Sequence, residues 1–107
     1  MKRMASVIKV KPEKLELYKI MHQNCWPQVK QTLSECGYSR YSVFLKDDML
    51  FSYFEYTGDD YWADMKKMGE DPVTQLWWSI CRPCCEPLPT RGEGEWGALM
   101  EEVFHLD

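Results

Sequence analysis

The 107-residue sequence predicts an α+β fold, with helices packed on one face of an antiparallel sheet. Two observations carry this. The hydrophobic pattern changes period along the chain in the order strand, helix, strand, strand, helices, strand. The two central strand patterns are separated only by Asp47-Asp48, a connection short enough to make them an antiparallel hairpin.

Each element has its own local reason. MASVIKVK, from Met4 to Lys11, is rich in β-branched residues and reads as a strand. Pro12 and Glu13 suit the first turn of a helix, which runs to about Gly37 with Leu15, Tyr18, His22, Val29 and Leu33 near one stripe. Pro27 interrupts the backbone ladder, so a kink or break is expected around Trp26. Gly37 is a C-terminal cap. YSRYSVFLK, from Tyr38 to Lys46, alternates as a strand does. Tyr41, Val43 and Leu45 share one face, with Arg40, Ser42, Phe44 and Lys46 on the other. MLFSYFEYT, from Met49 to Thr57, completes the hairpin. Gly58 breaks it, Asp59 or Asp60 caps the next helix, and Trp62 and Met65 have amphipathic spacing. Gly69 punctuates, and Asp71-Pro72 opens another helix that must stop near Pro83. From Glu86 to Gly97 the chain reads as a loop, and EEVFHL, from Glu101 to Leu106, as a final strand.

This order is the β-α-β-β-α-β arrangement of ferredoxin-like domains, as one domain over residues 1–107. Such a sheet has helices on one face and needs cover on the other. Bulky strand residues on both faces (Phe44, Phe51, Tyr53, Phe54) predict a homodimer, in which two sheets face each other as a dimeric α/β barrel.

Composition narrows the function. A formal net charge of −4 argues against nucleic acid as a partner, which calls for a basic footprint. No apolar run reaches the length of a membrane span, and the first residues lack the apolar core of a secretory signal. Five cysteines, an odd number, fit free thiols in a reducing cytoplasm. Five Trp and six Tyr supply flat faces suited to sugars, stacked rings or protein interfaces.

Four groups of residues are candidates for chemistry. Tyr18, His22 and Trp26 are spaced four apart, so a helix places them on one face. Histidine titrates near neutrality and can move protons, but a histidine among aromatics can also be a packing residue. Trp77 and Trp78 are adjacent, about 100° apart on a helix, so one packs while the other is free to line a cavity. Cys81 and Cys84 have C-x-x-C spacing, yet no second pair completes a zinc site, and they stand at the wrong end of a helix for a thioredoxin-like thiolate. His105 alternates with Val103 and reads as structural. Phosphate loops, hydrolase elbows and zincin motifs are absent.

Tyr18, His22, Trp26-Pro27, Tyr41, Trp77-Trp78 and a terminal EVFHL together resemble the L-rhamnose mutarotase family, across nearly the whole chain. The resemblance implies a small dimeric ferredoxin-like protein without metal or organic cofactor, which interconverts the α and β anomers of a 6-deoxy-hexose. It implies that His22 is catalytic and that Tyr18, Tyr41, Trp77 and Trp78 bind the sugar. Where the family often has Asn-Pro after the histidine, this chain has Gln23-Asn24. L-fucose or another aldose remains an alternative substrate. A non-catalytic ligand-binding barrel, a cofactor-free monooxygenase or isomerase, and a thiol redox protein are the alternatives of other classes.

Overall fold

A computed structural model describes residues 1–107. Strand β1 (Lys2–Val10) is followed by a 3-10 turn (Pro12–Lys14) and two helices, α1 (Leu15–Gln23) and α2 (Pro27–Glu35). The break between the helices has a simple cause. Trp26 precedes a proline and is driven to extended backbone, φ −64° and ψ 135°. Asn24 closes α1 by donating both its backbone N–H and its side-chain amide to the Ile20 carbonyl, at 3.1 and 2.9 Å. Pro27 then begins α2, where it removes no helical hydrogen bond.

Strands β2 (Tyr38–Lys46) and β3 (Met49–Tyr56) form the expected hairpin. Asp47 takes the left-handed φ of 56° that a two-residue hairpin turn requires. Gly37, at φ 92°, turns the chain from α2 into β2; a side chain there would collide with the Tyr56 ring. Helix α3 (Tyr61–Glu70) is capped by Asp60, whose Oδ1 accepts from Ala63 N at 3.1 Å. Helix α4 (Pro72–Cys81) is capped by Asp71, whose Oδ2 accepts from Thr74 N at 2.8 Å. A 3-10 turn (Arg82–Cys84) leads to the short β4 (Cys85–Glu86), and after a loop comes β5 (Ala98–Leu99).

The sheet order is β2-β3-β1-β4, with β5 also pairing β1, and every pairing is antiparallel. Met4, Ile8, Val10, Leu50, Phe54 and Tyr56 point toward the helices and are buried. Val29, Trp77 and Cys81 form the core between α2 and α4. On the sheet's other face Phe51 pairs with both Val7 and Phe44. Phe44 is 63% exposed and Phe51 38%, so this face is apolar and open.

The expected strand over Glu101–Leu106 does not form within the chain. Its last backbone bond to the sheet is Met100 N to Ala5 O, 2.8 Å. The Arg3–Glu102 ion pair, 2.9 Å, is its last side-chain tie to β1. In the register of β5 on β1 the segment would still set Glu101–Val103 opposite Met4–Lys2, and from Phe104 on it runs past the start of β1. Val103, Phe104 and Leu106, on this unpaired segment, are at least 80% exposed. His105 lies in this tail, where its Nε2 contacts Asp107 Oδ1 at 2.7 Å.

Candidate active site

A cavity of about 520 Å³ lies between the helices and the sheet, within the usual range for small-molecule sites. Its wall includes Tyr18, His22, Tyr41, Trp77 and Trp78. The structure thus brings together the five residues that the resemblance implies for the site, with Cys81 beside them, whereas Trp26, Cys84 and His105 lie off this wall. A neighbouring cavity of about 380 Å³ shares His22, Tyr41, Trp77 and Trp78, so these four stand between the two spaces.

His22 is on the last turn of α1, and its Nδ1 lies 2.8 Å from the Tyr18 carbonyl oxygen. A carbonyl only accepts, so Nδ1 carries the proton and donates it. In the neutral imidazole, Nε2 therefore holds the free lone pair. Burial pushes the His22 pKa down, and the bond to the carbonyl opposes this in part. At neutral pH the ring is an uncharged acceptor through Nε2. Its plane is fixed from two sides. The Tyr18 ring stacks on it at 3.9 Å between centroids, and Trp77 meets it edge-on at 5.4 Å.

The two tryptophans divide their tasks. Trp77 is buried in the core and also meets Trp26 edge-on at 5.2 Å. Trp26 thus supports the wall, as its place at the helix break suggests. Trp78 is half-buried, rests over Gly69 and carries the Arg82 guanidinium at 3.8 Å from its ring centroid.

Tyr41 arrives from β2 through a β-bulge. Ser39 pairs with Glu55 and Ser42 with Tyr53, leaving one extra residue on β2, and Arg40 adopts φ 46° there. Strict alternation would put Tyr38 and Tyr41 on opposite faces. The extra residue puts both on the cavity side, with rings 5.3 Å apart. Tyr38 stacks on Phe54 at 4.0 Å and donates its hydroxyl to Met65 Sδ at 3.4 Å. Burial pushes the Tyr18, Tyr38 and Tyr41 phenols up, so all three stay protonated and neutral.

Sequence reasoning passed over Tyr38, Arg82 and Trp96. Tyr38 was hidden by the bulge. Arg82 and Trp96 meet only because the loop after β4 folds back, with the Arg82 guanidinium 4.9 Å from the Trp96 ring centroid, and no periodicity encodes that. All five cysteines are free, and no group of three or more His, Cys, Asp or Glu side chains is placed to hold a metal ion. Burial raises the Cys81 thiol to about 12 and Cys85 to about 11. Both therefore remain thiols, and the thiolate that redox exchange needs is disfavoured.

Fold and site together define a ferredoxin-like α+β protein with an aromatic cavity built around one neutral, oriented histidine. A family model described as L-rhamnose mutarotase matches residues 3–106. The L-rhamnose mutarotase of Bacillus subtilis is 34% identical over 110 residues, covering 100% of both chains. The crystal structure of an L-rhamnose mutarotase from Formosa agariphila superposes with a TM-score of 0.77 at 25% identity, covering 100% of each chain. The chain belongs to the L-rhamnose mutarotase family, a family of isomerases. Tetracenomycin F2 cyclase from Streptomyces glaucescens shares the fold, with a TM-score of 0.74 at 16% identity and 98% of that chain covered. The same frame therefore serves other chemistry, and the site must carry the assignment.

Proposed function

We propose that this chain is a mutarotase that interconverts the α and β anomers of L-rhamnose, with His22 moving the proton. The observation that carries the mechanism is the Nδ1–H bond to the Tyr18 carbonyl, because it commits Nε2 to the substrate. Nε2 accepts the proton of the anomeric hydroxyl as the bond from C1 to the ring oxygen breaks. The departing electron pair on the ring oxygen then takes that proton back from the imidazolium. Both oxygens are bonded to C1, so one nitrogen serves both. The open aldehyde turns about C1–C2, and the same transfers in reverse close the ring on its other face. Electrons and protons balance within sugar and imidazole.

Tyr18 and Tyr41, kept neutral, donate hydrogen bonds to sugar hydroxyls, and Trp77 and Trp78 pack against the apolar sugar face and the C6 methyl. General acid–base catalysis contributes roughly a hundred- to ten-thousand-fold. His22→Gln should thus slow anomer exchange at least about a hundredfold, with an unchanged circular dichroism spectrum. Saturation-transfer NMR on L-rhamnose and L-fucose, side by side, reads this out. Near-wild-type exchange in the variant would sink the role of His22. Faster exchange of L-fucose would reassign the sugar.

We also propose that the chain is a homodimer. The open sheet face with Val7, Phe44 and Phe51, and the exposed Val103, Phe104 and Leu106, support a second copy as its cover. No helix is long and apolar enough to cross a membrane, and free thiols fit a reducing cytoplasm.

A further inference from the structure

The charged groups on the cavity wall are unequal. Its only carboxylate, Glu95, is engaged by the chain itself: Oε1 accepts from Gly92 N at 2.9 Å and from Leu99 N at 3.0 Å. Two cations line the wall, Lys66 and Arg82, and none of the chain's ion pairs includes either. Arg82 is the one held in place, by stacking on indoles. Its Nε is buried with no hydrogen-bond partner. Its guanidinium sits 3.8 Å from the centroid of Trp78 and 4.9 Å from that of Trp96.

A purely structural arginine stacked on an indole would still be expected to place its N–H groups on protein carbonyls or carboxylates. A buried, unpartnered Nε–H on an unpaired cation is costly, and the outer nitrogens of the fork carry the donors that a ligand can accept from. The two indoles restrict the side chain before binding, which lowers the ordering cost of each bond formed. A planar fork of donors matches two oxygens on neighbouring carbons, and a sugar presents such pairs.

We propose that Arg82 is a substrate-binding, specificity-determining residue, whose guanidinium, held between Trp78 and Trp96, donates hydrogen bonds to hydroxyl oxygens of the bound sugar. This deepens the mutarotase reading and rests on it. The loop after β4 then acts through Trp96, which helps to aim the guanidinium.

The test pairs protein variants with altered sugars. Anomer exchange is measured for L-rhamnose and its 2-, 3- and 4-deoxy analogues with the wild type, Arg82→Met, Arg82→Lys and Trp96→Ala. In the wild type, at least one deoxy analogue should lose about tenfold or more in kcat/KM, as expected for a site built to bond that hydroxyl. In Arg82→Met this penalty should fall to within about twofold, with a raised KM and an unmoved acid limb of the pH profile. Arg82→Lys keeps charge and stem but loses the fork. It should weaken the same penalty severalfold, and it carries the test should Arg82→Met fail to fold. Trp96→Ala should raise KM while keeping part of the penalty. Deoxy penalties in the arginine variants equal to those of the wild type, or none in the wild type, overturn the proposal and leave Arg82 as a loop clamp. A wild type that exchanges no aldose would instead overturn the mutarotase reading, so the two failures are distinguishable.

Discussion

The carbonyl one helical turn before it sets the tautomer of His22. Burial lowers its pKa below the ordinary 6.5, so the acid limb of kcat/KM should have its midpoint below that value. Tyr18 and Tyr41 are pushed above the usual phenol range, so no alkaline limb from them is expected below about pH 10. Initial-rate measurements from pH 4 to 10 check both. Stability follows the same titration. The unfolded chain binds the proton near pH 6.5 and the folded one only at lower pH, so stability should fall as pH drops through that window. His22→Gln should flatten this slope in urea titrations at pH 7 and pH 5. The proximity of Tyr18 and His22 was legible from their spacing. The tautomer was not, because the orienting group is a backbone carbonyl that any residue at position 18 would present.

Among the elements, the helices with chemical punctuation and the strands joined by a tight turn were readable, whereas the bulge in β2 and the pairing at the C-terminal end were not. Pro27 placed the helix break, and Asp71-Pro72 placed the start of α4. Asp71→Ala should cost about 1 kcal/mol of folding stability, since Thr74 N loses its acceptor. Chemical denaturation measures it, and an unchanged midpoint would mean that water replaces the cap. The bulge at Arg40 left no mark, because an arginine at φ 46° carries none of the glycine signal that such a backbone usually shows. Strict alternation therefore assigned Tyr41 to the right face and lost Tyr38. The EEVFHL segment has the composition of a strand, but it stays unpaired, and from Phe104 on it runs past the start of β1. Hydropathy patterns report which side chains seek burial and say nothing about how much partner strand is left.

At the scale of the whole molecule, the same unpaired segment and the open sheet face lead to one expectation. Phe44→Glu combined with Phe51→Glu should yield a monomer by light scattering coupled to size exclusion, against a dimer for the unaltered chain. Like charges opposite one another on paired strands are unfavourable, so the single substitutions separate loss of association from loss of folding. A monomeric unaltered protein would overturn the dimer. The loop between β4 and β5 has a different standing in the molecule. The Glu95 carboxylate holds its backbone, and only its ends enter the sheet, while His22, the proposed proton carrier, lies far back in the chain on α1. On the proposed roles of Arg82 and His22, changes in that loop should alter which sugar is welcomed and leave the ring-opening step untouched. An engineer seeking a new aldose would then have a stretch of about ten residues in which to look.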